Sequence, residues 1–207
     1  MGGLGLQERL IQLWRRFGTV VVVACVFLLT RALVVQAFEI PSGSMLNTLL
    51  IGDYILVSKL LYGPEIPFTG WHLPGLAGPS RGDVIVFRYP EDESRDFIKR
   101  VVAVGGDTVQ VEGDRVFVNG RLLDEPYLRQ PRTVTADGCD YRYGCSPTVV
   151  PPGSYFVLGD NRENSQDSRY WGFVRRGEIV GRAFVVYWSW DGTQHLPRWW
   201  RIGHWIS

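Results

Sequence analysis

Two short segments of this chain hold side chains that could do nucleophilic chemistry together: Pro41-Ser42-Gly43-Ser44-Met45 and Phe97-Ile98-Lys99-Arg100-Val101-Val102. A serine hydroxyl is a weak nucleophile at neutral pH and needs a base to take its proton. Histidine is the usual base, but His72, His195 and His204 all sit in loop-like or tail segments rich in Gly, Pro and Trp. Lysine can serve only when uncharged. From its ordinary pKa near 10.4, freeing the amine lone pair at neutral pH costs about 4.6 kcal/mol. Burial against apolar groups lowers that cost. If 97–102 is a strand, Phe97, Lys99 and Val101 share one face, so Lys99 has apolar neighbours on its own side. Taken alone, this segment reads more readily as a strand with a solvated edge lysine. A third segment, Gly159 to Gly172, packs charges, amides and hydroxyls far more densely than a connecting turn needs, which suits a hydrogen-bonded scaffold, with a plain surface loop as the equal alternative on composition alone.

These residues need positioning, and the element just before the first serine is the plainest in the chain. Residues 17–37 form an apolar run of the length a helix needs to cross hydrocarbon. Arg31 interrupts it, but a long cationic side chain near one end of a span can reach the headgroups. Arg9, Arg15 and Arg16 precede the run, so the excess of positive charge on that side assigns residues 1–16 to the cytoplasm and 38–207 to the outside. A cleaved signal peptide is the alternative reading of the same run.

Beyond the anchor the pattern changes to short stretches rich in Val, Ile, Phe and Tyr, punctuated by Gly, Asp and Pro. Strands are expected at 54–57, 84–88, 97–104, 109–112, 116–118, 155–158 and 180–188. Gly113-Asp114 and Asn119-Gly120 suit tight hairpin turns. The expectation is a mainly β, compact sandwich or barrel-like catalytic domain behind one N-terminal transmembrane helix, with a small insertion subdomain at about 108–153. Cys25 falls in the apolar run. Cys139 and Cys145 bracket a short loop and are close enough to be bridged in an oxidising compartment, with free thiols or a metal half-site as alternatives. Charge is balanced, with 22 Lys plus Arg against 21 Asp plus Glu, which argues against a nucleic-acid partner.

In combination the three polar segments resemble the bacterial type I signal peptidases, membrane-anchored serine proteases with a Ser/Lys dyad. The resemblance covers most of the chain after the anchor. It implies that Ser44 is the nucleophile and Lys99 the general base. It further implies that the Ser42 side chain and the Ser44 amide form the oxyanion hole, that Ser165 orients the lysine amine, and that Asp160, Arg162, Asp167 and Arg169 brace the site. Phe38, Ile40, Met45, Leu49, Phe97 and Ile98 would line substrate pockets, their other reading being ordinary core. Two departures from the family pattern stand out: Asn47 where many members carry proline, and Gly105-Gly106-Asp107 in place of Leu-Pro-Gly-Asp.

The implied activity is removal of signal peptides from exported preproteins through an acyl-enzyme, with no metal or organic cofactor. The implied location is the inner or plasma membrane, single-pass, with the signal peptides and the lipid bilayer as partners. Trp188, Trp190, Trp199, Trp200 and Trp205 suit either headgroup contact or core packing. A repressor-type Ser/Lys protease would carry a DNA-binding helical domain in place of the span, and a penicillin-binding enzyme needs Ser-x-x-Lys, where position 47 is asparagine. A non-enzymatic anchored scaffold would not need the hydroxyl and the apolar-flanked lysine at these places.

Overall fold

The computed structural model describes residues 14, 16–27, 34–63, 71, 73–113, 115–128 and 141–207. The main sheet is antiparallel, in the order β1-β2-β11-β3-β4-β9-β10. Its strands are β1 (Val35–Glu39), β2 (Asp53–Ser58), β3 (Val84–Tyr89), β4 (Asp92–Val104), β9 (Ser154–Leu158), β10 (Val174–Arg175) and β11 (Ile179–Asp191). Two short strands, β12 (Leu196–Pro197) and β13 (His204–Trp205), pair with β11. A smaller sheet has the order β7-β6-β5-β8, from β5 (Thr108–Glu112), β6 (Arg115–Val118), β7 (Arg121–Leu122) and β8 (Thr148–Val149). This sheet occupies the stretch expected to be the insertion.

Each of the seven expected strands is present, and all seven extend by a residue or more. The Asn119-Gly120 turn joins β6 to β7 with φ of 53° and 74°. Both central residues are left-handed, the geometry an Asn-Gly pair accepts with least strain. Alternation buries one side of β2, while β9 is buried along its whole length because Phe156 and Leu158 face the small sheet and Tyr155 and Val157 face the cluster of Phe87, Val101 and Trp171. The small sheet shares its core with the large one. Val109, Val111, Val116 and Val118 pack with Val102 and Ala103 of β4 and with Phe156 and Leu158 of β9.

The expected membrane span is corrected at its end. Val35, Gln36 and Ala37 are not helical; they pair with Ser58, Val57 and Leu56 as the edge strand β1. A run of Val, Gln, Ala and Phe satisfies a sheet edge as well as it satisfies lipid, so apolarity alone does not place the boundary. Residues 16–27 are helical and exposed along nearly their whole length. Among the described residues no helix is long and apolar enough to cross a membrane. Residues 28–33, with Arg31, and most of 1–16 lie outside the described residues. Cys145 is disulfide-bonded and Cys25 is free, while Cys139 lies outside the described residues.

Candidate active site

Ser44 sits in a single 3-10 turn, Gly43–Met45, which follows the end of β1 and Pro41. The turn is held from below because Met45 and Leu49 are both completely buried in the core beside Ile40. It is held from above by Asn161, whose backbone N–H donates to the Ser44 carbonyl at 3.0 Å and whose side-chain amide donates to the Gly43 carbonyl at 2.9 Å. Only glycine fits at 159. A Cβ there would lie 2.2 Å from Ser165 Oγ and 2.5 Å from the Ser44 carbonyl oxygen.

Lys99 approaches from β4. Its Nζ donates to Ser44 Oγ at 2.8 Å and to the Ile98 carbonyl at 2.9 Å, and it lies 5.3 Å from the centre of the Phe97 ring. The residue is 4% exposed. Burial pushes the Lys99 amine down to about 8, and the more distant charges of Asp167 and Asp160 pull the other way. An amine with that value has a substantial neutral fraction near neutral pH, and the neutral form can accept the serine proton.

Beneath the dyad lies a layer of buried ion pairs. Arg100 donates from Nε and Nη2 to the two oxygens of Asp160 at 2.9 and 2.8 Å, the two-pronged geometry that suits guanidinium and carboxylate. Thr48 also donates to Asp160, and the Tyr127 ring covers the Arg100 guanidinium at 3.9 Å. Arg169 makes a second two-pronged pair with Asp167, at 2.7 and 2.9 Å. Asp167 also caps the short helix Ser168–Trp171 and accepts the Gly159 N–H at 3.1 Å. Arg162 pairs with Glu125 and donates to the Gly159 carbonyl at 2.9 Å. Gly159 is therefore fixed through both of its backbone polar groups, which sets the position of the loop against Ser44.

A cleft of about 380 Å³ opens over the dyad. Residues 41–44 form one wall and 95–99 the other, and Asn164 and Gln166 close one end. Ser42 is exposed, in extended backbone, at its lip. The wall formed by β4 has an open edge. Asp96, Phe97 and Ile98 pair with β3 on one side, and the pairing of β4 with β9 begins only at Arg100.

The structure brings Ser44, Lys99, Ser42, Asp160, Arg162, Asp167 and Arg169 into one neighbourhood. Ser165 is there too, buried against Gly159. Its Oγ has no hydrogen-bond partner among the described residues, so the second bond of Lys99 goes to the Ile98 carbonyl. Of the six expected pocket residues, Phe97 and Ile98 line the cleft, Phe38 is half-buried, and Ile40, Met45 and Leu49 lie within the core beneath it. Arg100, Thr48, Asn161 and Glu125 were not identified from sequence. Alternation alone put Arg100 on the face opposite Lys99, and its place next to a candidate base was the available signal. His195 and His204 are exposed and line no part of the cleft.

The chain is similar to known proteins. The family model described as signal peptidase, peptidase S26, matches residues 13–188. The signal peptidase I of Pseudomonas fluorescens is 40% identical over 210 residues, covering 86% of this chain and 74% of its own length. That of Aquifex aeolicus is 38% identical over 222 residues, covering 82% and 81%. A crystal structure of a signal peptidase I from Enterococcus faecalis V583, 34% identical, covers 50% of this chain and 95% of its own, with a TM-score of 0.43. With a family match over most of its length and relatives at this level of identity, the chain belongs to the bacterial type I signal peptidases of family S26 and is a serine peptidase.

Proposed function

We propose that this chain is a membrane-anchored endopeptidase that removes signal peptides from exported preproteins, with Ser44 as nucleophile and Lys99 as general base. The observation that carries the reading is the buried 2.8 Å contact between Lys99 Nζ and Ser44 Oγ. Neutral Lys99 takes the hydroxyl proton as Ser44 attacks the scissile carbonyl, forming the C–O bond of a tetrahedral intermediate. The oxyanion is held by the Ser42 hydroxyl and the Ser44 N–H, from two residues that line the cleft. The lysine passes its proton to the leaving amine as the C–N bond breaks. It then deprotonates the water that hydrolyses the acyl-enzyme. Ser165 orients the amine in the substrate complex, where its spare hydroxyl gains a partner. Asp160, Arg162, Asp167 and Arg169 hold the loop that fixes Ser44.

The substrate binds extended between residues 38–42 and the open edge of β4, adding a strand by backbone hydrogen bonds. Phe97 and Ile98, which line the cleft, then flank the residues before the cut, and the core beneath limits the depth of any pocket to small side chains.

The anchor is the helix that includes residues 16–27, where Val20, Val22 and Phe27 are 66%, 60% and 60% exposed among the described residues. Residues 1–16 lie in the cytoplasm and the catalytic domain outside, a topology supported by the disulfide at Cys145. Trp199, Trp200 and Trp205 are 67%, 74% and 70% exposed, which favours the headgroup reading over core packing for these three. Cleavage of a purified preprotein by the full chain in lipid vesicles, with and without Ser44→Ala, tests the proposal. Turnover that survives the substitution would favour a scaffold.

A further inference from the structure

The cleft over the dyad has two unlike faces. Ile98 packs against the core cluster of Ile40, Met45 and Leu49, as does Phe38 near the end of β1, so one face is apolar. Phe97 leaves β4 in the opposite direction and packs, with Tyr89, against the cluster of Ile85, Phe87 and Val101. Around Phe97 the cleft is lined by Arg95, Asn164 and Gln166, a cation and two amides, all exposed. An extended chain in this cleft shows its alternate side chains to the two faces in turn.

Arg95 is the charge on the second face. Its guanidinium lies 5.3 Å from the centre of the Phe97 ring and 5.9 Å from that of Tyr89, two rings that stack on each other with centres 4.4 Å apart. Ring contact of this kind holds a cation in place without neutralising it. Among the described residues Arg95 has no hydrogen-bond partner and no ion pair, and the exposed Asp92 feels its charge from the neighbouring turn. Asp96, the acid that also lines the cleft, leaves the strand on the opposite side, where Arg88 and Lys59 act on it. The donors of Arg95 are therefore unspent, on a wall of the catalytic cleft.

The dyad sets the register of a bound strand. Lys99 Nζ bridges Ser44 Oγ at 2.8 Å and the Ile98 carbonyl at 2.9 Å, so the carbonyl that Ser44 attacks lies level with Ile98. From there the open edge of β4 runs toward Asp96, because β9 occupies it from Arg100 onward. A strand added along that edge sets the first residue before the cut beside Ile98, the second beside Phe97, the third beside Asp96 and the fourth beside Arg95, and residues paired across a ladder share a face. We infer that Arg95 is a specificity-determining residue that reads the fourth side chain before the cut, favouring Asp or Glu there and disfavouring Lys or Arg, an inference that rests on the proteolytic reading above. Two residues nearer the cut, the same face offers the Phe97 ring and the neutral amides of Asn164 and Gln166, so charge counts for less there.

The test measures binding of three peptides to the full chain carrying Ser44→Ala, in detergent micelles, and cleavage of the same peptides by the wild-type chain. The peptides carry alanine at the first and third residues before the cut and Glu, Gln or Lys at the fourth. The glutamate peptide should bind about fivefold tighter than the lysine peptide, with glutamine between them, as expected for an exposed charge contact, and the ratio should shrink as salt is raised. Arg95→Ala should bring the Glu-to-Lys ratio to about one, and Arg95→Glu should reverse it, a change of sign that loss of a merely structural contact would not produce. Moving Glu or Lys to the second residue before the cut should weaken the preference. Equal binding of the three peptides, or a glutamate preference that survives Arg95→Glu, overturns the inference. A wild-type chain that cleaves none of the peptides, while binding keeps its Arg95-dependent preference, would instead overturn the proteolytic reading and leave Arg95 assigned.

Discussion

Lys99 and Arg100 are consecutive on β4 and are 4% and 1% exposed, yet the fold treats their charges in opposite ways. Arg100 meets Asp160 through two bonds, donates to the carbonyls of Gly82 and Ser207, and lies under the Tyr127 ring. Lys99 meets a hydroxyl, one carbonyl and a ring, and among the described residues no carboxylate lies within ion-pair distance of it. Strand alternation makes this possible, because neighbouring side chains leave the backbone in opposite directions. One face meets the 160s loop with its carboxylate, and the other meets the Ser44 turn. Asp160 and Asp167, the carboxylates that could hold Lys99 charged, are already occupied by Arg100 and Arg169. The reactivity of the amine thus depends on a partner being withheld from it while one is supplied next door.

The contrast is broken most severely by Lys99→Arg. A guanidinium does not lose its proton in a protein, so preprotein turnover should fall by about 10⁴-fold or more, as when a base is removed from a catalytic unit. Retained turnover would take the base role away from Lys99.

Stability should respond with opposite signs at the two positions. Arg100→Met leaves Asp160 buried without its partner and should cost about 3–5 kcal/mol in denaturant unfolding. Lys99→Met removes a desolvated amine and should stabilise by up to about 3 kcal/mol at pH 7 while abolishing turnover. Equal signs would mean that the two cations are held alike.

A smaller effect is expected at the turn that carries the serine. Asn47 has φ of 90°, a left-handed value that proline cannot adopt. Asn47→Pro, although it restores the residue common in the family, should cost about 1–3 kcal/mol in thermal unfolding, whereas Asn47→Gly should be tolerated. The departure from the family pattern is therefore a change of backbone shape, and more than a loss of stiffness.

The smallest effect is on pH dependence. With the amine lowered to about 8, turnover should rise about tenfold from pH 7 to 9 and then level off. The folded value lies below the unfolded one, so between about 8 and 10.5 the unfolded chain binds the extra proton. The contribution of Lys99 to stability should therefore rise with pH across that window, with its full penalty present below it. A rate profile still climbing past pH 10 would place the amine at its ordinary value.

The expected strands were legible because each is an apolar stretch bounded by turn residues. β1 was not, since Val35–Glu39 continues the apolar run before it and hydropathy does not separate a sheet edge from lipid. The two-residue strands β7, β8, β10, β12 and β13 are too short to show a period. At the site, Ser44 and Lys99 stood out because their chemistry is unusual in their surroundings. Thr48, Glu125 and Asn161 did not, because each acts through a contact with a residue distant in sequence, Asp160, Arg162 and the Ser44 turn respectively. Single hydrogen bonds of this kind leave no periodic trace.

The most direct measurement is an NMR titration of the Lys99 side chain in the folded full chain, with Lys99→Arg used to assign its signal. The account predicts a midpoint at about 8, set by burial beside Ser44. A midpoint near the ordinary lysine value of about 10.4 would contradict it, because the amine would then be charged whenever the serine needs a base.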